Sequence, residues 1–425
     1  MSGLRSLDPG RSKPGEDGRN NLPDTGQALR SRTVRTVPKV CGAVMNASVE
    51  ALPVSHRAHP APVPAREMVV REGIVDMPDM ALHHGGRLSG IRVAWRLAGP
   101  ANAPVVCALG GISANRRVFV TEDPRQGWWS EVVGPGGPLD ANRFRVLSFD
   151  YLGGSGETTG PAATDDASET AAARAAAGIA IVPPAKAGGS LADDARPARA
   201  FPNISTYDQA ELLVCILNSL GLKSLRAIVG GSYGGMVALA FGERYPERVS
   251  ELIVIGASDR THPMATAWRS VQRRILRFAV DCGRPREGLQ LARALAMSTY
   301  RSAEEFEARF DDAPVRDGER FLFPVEQYLF ARGIDFADRH RPEAILCLSE
   351  SIDLHQVDAA RIFVPTTIVA IREDQLVPLT DLRGLAARLP LARLHEISSI
   401  YGHDAFLKES DQLRGIFAAA LGGAA

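Results

Sequence analysis

A short glycine-rich run constrains the fold of this chain more than any other stretch. Arg226-Ala-Ile-Val229 reads as a buried strand, Gly230-Gly-Ser-Tyr-Gly-Gly235 follows at once, and Tyr233–Arg244 carries a helical pattern. A strand that becomes a helix across one Gly-x-Ser-x-Gly turns so tightly that a Cβ at Gly230 or Gly234 would strike a neighbouring element. The serine is thereby forced to the tip of the turn, above the end of a sheet. It also sits at a helix N-terminus, where the dipole favours developing negative charge.

The rest of the pattern agrees with a sheet covered on both faces. Short runs rich in Val, Ile and Leu recur at Val105–Leu109, Arg145–Phe149, Arg226–Val229, Glu251–Ile255, Thr367–Ile371 and Arg393–Ile397. Parallel strands buried on both sides have this composition. Helical stretches follow several of them, notably Tyr233–Arg244 and Leu379–Arg388, so a mostly parallel, doubly wound α/β sheet is expected. No strong strand signal falls between Ser258 and Asp335. The amphipathic stretches there, such as Ala265–Asp281 and Glu287–Met297, predict a helical cap inserted after the sixth core strand.

Two segments break the pattern. Residues 1–66 hold ten Lys/Arg against five Asp/Glu, with many Pro, Gly and Ser and no periodicity, and are expected to form a disordered extension. Met68, Met77 or Met80 is each expected to be able to begin a complete domain. Residues 162–200 contain 16 Ala in 39 positions and are expected to form a flexible surface insertion. The expected layout is thus an extension over 1–66, a first core segment over 67–258, a cap over 259–335 and a second core segment over 336–425.

Composition removes several classes of function. Forty-nine basic residues balance forty-nine acidic ones, so no long-range field draws the chain to nucleic acid or a membrane surface. No run of about 18 uncharged apolar residues is present to span a bilayer. Five scattered cysteines (Cys41, Cys107, Cys215, Cys282 and Cys347) make neither a disulfide framework nor a Cys-x-x-Cys metal site. That suits a reducing cytoplasm, with each cysteine expected as a small buried hydrophobe. Phosphate-cradling and zinc-protease motifs are also missing from the sequence.

A serine near neutral pH is a poor nucleophile unless a base, itself held by a third group, takes its proton. On elbows of this kind the chain order is Ser, then an acid, then His. Val369-Ala-Ile-Arg-Glu-Asp374 places Asp374 just past a strand, with Glu373 as the alternative. His403, in Ser399-Ile-Tyr-Gly-His403, lies on the loop after the last strand, and it alone of nine histidines combines such a loop with a place after the acid. The Tyr233 N–H is the expected first donor to an oxyanion. The second is expected from Gly110 or Gly111, in Cys107-Ala-Leu-Gly-Gly-Ile-Ser-Ala114.

Further motifs carry a resemblance. Trp128-Trp129-Ser-Glu-Val-Val-Gly-Pro-Gly136, Asp150-Tyr-Leu-Gly-Gly-Ser-Gly156, Thr159-Gly-Pro161, Gly231-Ser-Tyr-Gly-Gly-Met236, Thr299-Tyr-Arg-Ser302 and Gly402-His-Asp-Ala-Phe406 occur in that order. Together they resemble the homoserine O-acyltransferase family of the α/β-hydrolase superfamily, over nearly all of residues 80–423 outside the Ala-rich insertion. Within the family the pattern is most similar to the homoserine O-succinyltransferase branch. The resemblance implies an α/β-hydrolase fold, a Ser232–His403–Asp374 triad, and a homodimer formed through the helical cap. It also implies that Arg301 and Asp404 bind the amino acid. A zwitterion does need a cation for its carboxylate, best a bidentate guanidinium, and an anion for its ammonium. Two departures fall where the acyl pocket is expected: Gly-Gly-Ile-Ser in the early loop in place of a Thr-Gly-type turn, and Tyr233 in place of the commoner Met.

The implied reaction is ping-pong and cytoplasmic, with acyl-CoA and L-homoserine as small-molecule substrates and no metal or bound cofactor. Succinyl-CoA is the expected donor. Its free carboxylate needs a buried partner, and Arg116 or Arg117, a few residues past Gly111, is expected to reach inward to it. Other readings share the elbow: acetyl-CoA as donor, serine as acceptor, water as acceptor in an esterase or thioesterase, and a noncatalytic binding protein.

Overall fold

The computed structural model describes residues 67–121, 127–162 and 201–422. The expected extension over 1–66, Cys41 and nearly all of the insertion over 162–200 lie outside the described residues. An eight-stranded sheet forms the centre. Its strands are β1 (Val69–Ala81), β2 (Arg87–Gly99), β3 (Val105–Leu109), β4 (Arg145–Phe149), β5 (Ala227–Gly231), β6 (Leu252–Ile255), β7 (Thr366–Ile371) and β8 (Ala392–Ile397). They lie in the order β1-β2-β4-β3-β5-β6-β7-β8. β1 pairs with β2 and β2 with β4 in antiparallel register, and every later pairing is parallel. β3, β5, β6 and β7 are buried along their whole length, which is why their apolar runs are continuous rather than alternating.

Two long strands were not among the expected ones. β1 is largely exposed, and its interrupted pattern of Asp, Glu and Arg hides the strand period until β2 pairs with it. Met77 and Met80 lie inside β1, opposite Ile91 and Leu88, and both are buried. A domain beginning at either would lose most of this pairing, so neither opens a complete sheet. The cysteines also depart from expectation: Cys282 is exposed and Cys215 and Cys347 are only half-buried, so of the four described, all free, Cys107 alone is fully buried.

Helices cover the sheet and then leave it. α1 (Thr206–Ser219) starts with a capping box between Ser205 and Asp208, and α2 (Tyr233–Arg244) leaves the elbow. The cap follows β6, the sixth strand of the sheet. It comprises α3 (Pro263–Asp281), α4 (Pro285–Tyr300), α5 (Ala303–Phe310), α6 (Pro324–Ala337) and α7 (Pro342–Asp353). Four of these five begin with proline, which fits the first helical position because its missing N–H has no partner there anyway. Residue 335 falls inside α6, so the helical run ends not there but at Asp353. α7 belongs with it because its apolar face packs on α3 and α4. A small hairpin, Val315–Asp317 with Arg320–Leu322, interrupts the helices. After β7 the chain forms α8 (Leu379–Arg388), then β8, and α9 (Ser410–Leu421) closes it. Among the described residues no helix is long and apolar enough to cross a membrane.

Candidate active site

The elbow between β5 and α2 has the strain its sequence demands. Ser232 has φ 55° and is the only non-glycine with positive φ among the described residues. A Cβ on Gly230 would lie 2.2 Å from the Gly234 carbonyl oxygen, and one on Gly234 would lie 2.4 Å from the Leu109 carbonyl oxygen. Backbone fills both spaces, so no side chain can yield. The Ser232 N–H is anchored on the Ile255 carbonyl at 2.9 Å.

Ser232, His403 and Asp374, each past the end of a different strand, form one chain of side-chain contacts. His403, on the turn Gly402–Asp404 after β8, approaches Ser232 Oγ through Nε2 at 2.8 Å. Its Nδ1 lies 2.7 Å from Asp374 Oδ2, past the end of β7. Asp374 Oδ1 in turn accepts the N–H groups of Leu376 and Val377 at 2.8 and 3.0 Å. The carboxylate is therefore fixed from both sides and sets which imidazole nitrogen carries the proton. Burial alone disfavours the imidazolium; the charge and hydrogen bond of Asp374, with Asp404 adding, outweigh it and raise the His403 pKa above its ordinary value. Glu373 does other work, accepting from the Ser398 hydroxyl and the Ser399 N–H to brace the loop that carries His403.

The early glycine pair divides in role. Gly110 is packed against Trp128, where a Cβ would lie 2.5 Å from the indole, and its carbonyl accepts from Gly234 N–H and the Tyr151 hydroxyl at 2.9 and 2.8 Å. Gly111 has open space and lines the pocket above Ser232. The Trp128–Trp129 pair ties the two halves of the site together. Trp128 donates to the Asn115 carbonyl and Trp129 to the Phe406 carbonyl, on the His403 loop. The pocket runs from Ser232 and His403 up between the cap helices. A serine, a base oriented by an acid, and a cap-covered pocket can take an acyl group from one molecule and pass it to another.

Residues 104–410 match the model for the alpha/beta hydrolase fold. The chain is 36% identical over 353 residues to a homoserine O-succinyltransferase of Xanthomonas campestris pv. campestris, covering 82% of this chain and 83% of the relative. The chain belongs to the homoserine O-acyltransferase family. A serine O-succinyltransferase of Litchfieldella anticariensis is 30% identical, covering 80% and 95% of the two chains. A homoserine O-acetyltransferase of Thermus thermophilus is 34% identical, covering 70% and 72%. Among solved structures, the homoserine O-acetyltransferase from Bacillus anthracis superposes with a TM-score of 0.68 at 16% identity, covering 83% and 98%, and shares the fold.

Within this acyltransferase, Asp404 lines the pocket directly after His403. Arg301 lies behind it, outside the pocket lining. Its Nε is 2.9 Å from Asp404 Oδ2, and its Nη1 donates to both oxygens of Glu305 at 3.0 and 3.1 Å. The expected cation and anion are thus paired with one another, and Nη2 has no partner among the described residues. Tyr401 lies against the guanidinium at 5.4 Å.

Two expectations about the acyl pocket are corrected. Arg116 is buried, but it turns away from the pocket onto Asp150 and Glu157, and Arg117 faces Glu72 at 3.7 Å. Asp150 binds Arg116 through both side chain and backbone and also accepts the Glu157 N–H at 2.9 Å. The arginine is a loop clamp, not an acyl receptor. The Tyr233 ring likewise points down into the core, its hydroxyl 2.6 Å from Ser351 Oγ, and does not line the pocket. The cations on the pocket wall come from the cap instead: Arg260, Arg269, Arg273 and Arg293. Sequence reasoning passed over them, although Arg293 stands seven residues before Tyr300, on the helix face that carries the Thr-Tyr-Arg-Ser motif.

Proposed function

We propose that this protein transfers a succinyl group from succinyl-CoA to the hydroxyl of L-homoserine through a Ser232 acyl-enzyme, a cytoplasmic step of methionine biosynthesis. The observation that carries this reading is the Ser232–His403–Asp374 contact at the base of a pocket that Asp404 also lines. The 36% identity to a homoserine O-succinyltransferase supports the choice of donor and acceptor.

In the first half-reaction His403 Nε2 takes the Ser232 proton as Oγ attacks the thioester carbon. The oxyanion rests on the Tyr233 N–H and an amide of the Gly111–Ile112 turn. Protonated His403 hands its proton to the departing thiol. Homoserine then enters, its ammonium on Asp404 and its carboxylate on the free edge of Arg301. His403 removes the proton from its hydroxyl, which attacks the acyl ester and releases Ser232. Asp374 holds the imidazole in the one tautomer that serves both steps.

Mass spectrometry of the products from homoserine and serine, given equal succinyl-CoA and acetyl-CoA, tests the reading. O-Succinylhomoserine as main product supports it. O-Acetylhomoserine would overturn the donor, O-succinylserine the acceptor, and free acid without ester the transfer itself. The cap leaves Val271, Phe278, Leu291 and Ile334 exposed, which supports a homodimer formed through it; a monomer mass by light scattering refutes that.

A further inference from the structure

The pocket wall carries four guanidiniums but, among the described residues, one carboxylate, Asp404. Three of the four have an evident reason to be there. Arg269 and Arg273 share Asp353, Arg269 through Nε and Nη2 at 2.9 and 2.7 Å. Arg273 also binds Ser349, so the pair joins α3 to α7 across the cap. Arg260 is exposed to solvent. Arg293 differs. It is half-buried on α4 and makes no hydrogen bond or ion pair with another described residue.

What holds Arg293 is aromatic. Its guanidinium lies 5.2 Å from the Tyr300 ring centre and 4.6 Å from that of Phe336, and both rings line the same pocket. Two ring faces fix the position of a cation and leave its N–H edge unused. Tyr300 also neighbours the catalytic imidazole, with ring centres 6.0 Å apart. The unused cation is therefore one aromatic ring away from the base. A half-buried guanidinium with no counter-ion has N–H groups left over that an anion can complete.

We infer that Arg293 is the receptor for the free carboxylate of the acyl donor, and so sets the preference for a dicarboxylic monothioester over acetyl-CoA. The inference rests on the proposed succinyl transfer. A succinyl chain places its carboxylate two methylenes from the thioester carbon, inside a pocket whose wall carries Ser232, Tyr300 and Arg293 together. The phosphates of coenzyme A sit at the far end of the pantetheine arm, too remote from the thioester to use a cation this close to the base. An acetyl group would leave the Arg293 N–H edge unpaired, so the preference would come from the contact that only the carboxylate can make.

Donor binding to the Ser232→Ala protein, titrated with succinyl-CoA and with acetyl-CoA, tests this without any acceptor. Ser232→Ala is expected to bind succinyl-CoA more tightly. Adding Arg293→Met should lower that affinity roughly 10- to 100-fold and change the acetyl-CoA affinity much less, the worth of one charge-assisted pairing. Arg293→Lys, which keeps the charge and the fold, should retain part of the preference. Equal affinity for the two donors in Ser232→Ala, or equal loss of both on adding Arg293→Met, overturns the inference. Failure of the acceptor reading is separate and visible in the wild-type protein, as acyl transfer from succinyl-CoA to something other than homoserine.

Discussion

Asp374→Asn changes one atom type and nearly no volume, and should still remove almost all activity. The Asn carbonyl oxygen can keep the Leu376 and Val377 N–H groups at the 2.8 and 3.0 Å positions now held by Oδ1. That choice places the amide NH2 where Oδ2 now stands, 2.7 Å from His403 Nδ1. Two donors then face each other unless Nδ1 gives up its proton. The proton moves to Nε2, the atom that must accept from Ser232, and the base is lost without displacement of any residue. Loss of the right tautomer, with geometry intact, costs about 10⁴ in rate in a Ser–His–Asp enzyme, equivalent to about 5 kcal/mol of barrier. The assay is thiol release from acyl-CoA in the first turnover, beside thermal unfolding as a check that the fold stands. Glu373→Gln is the control, since Glu373 binds only Ser398 and Ser399, and it should fall by no more than a few-fold. A folded Asp374→Asn protein within tenfold of wild type would refute the tautomer argument and return Glu373 to consideration.

Asp404→Asn should lower the His403 pKa, because Asp404 is one of the charges raising it. The acid limb of thiol release, measured without acceptor, should then move to lower pH; an unmoved limb would show that the charge does not reach the imidazole. Arg301→Ala should raise the KM for the amino acid severely and leave thiol release in the first turnover nearly intact, and equal loss of both would assign Arg301 to the fold or to coenzyme A instead. His355 is buried, bonded to Thr206 at 2.8 Å and the Ser258 carbonyl at 3.1 Å, and burial pushes its pKa down to about 4. Its unfolded value is about 6.5, so the unfolded state takes up the proton first and stability is lost as pH falls between the two, by up to about 3 kcal/mol. His403 is shifted the opposite way, so the difference between wild type and His355→Gln across that window, read by urea unfolding, isolates the effect; identical slopes would exclude it. Gly230→Ala drives a Cβ to 2.2 Å from the Gly234 carbonyl and should cost more than about 4 kcal/mol, and a soluble, active Gly230→Ala protein would mean the elbow can open.

How much of this was legible depends on whether a residue's role is set by its neighbours in sequence or in space. β3, β5, β6 and β7 were readable because complete burial makes each an unbroken apolar run. β1 was not, since it lies at the sheet edge with most of its side chains in solvent and only its register with β2 defines it. The elbow declared itself because a steric rule forces both glycines. Arg116 misled for the opposite reason. Its place in the chain, five residues after Gly111, puts it near the pocket, but the direction of a loop side chain is decided by its partner, here Asp150 from the end of another strand. Arg293 was passed over because a cation on an amphipathic helix reads as a solvated face until Tyr300 and Phe336 close around it.

The elbow, the base and the acid are common to esterases and acyltransferases, so the distinction between them lies in what attacks the acyl-enzyme. Water is present in overwhelming excess and needs no site. An amino-acid hydroxyl wins only if it is held at an effective concentration far above any in solution, and good orientation supplies about 10⁵–10⁸ M. Asp404 is suited to this because the turn that positions the base also positions the anion, in adjacent residues. The pairing of Arg301 with Asp404 then has a purpose rather than being an obstacle. Between turnovers Asp404 has Arg301 as counter-ion, and Arg301 has both Asp404 and Glu305, so no bare ion waits in a buried site. A zwitterion entering between them exchanges one ion pair for two and adds no net charge, so it can enter at little electrostatic cost. A singly charged molecule of the same size gains one ionic contact and a neutral one gains none. Water gains neither, so in the proposed reaction the held hydroxyl has the advantage of position over it.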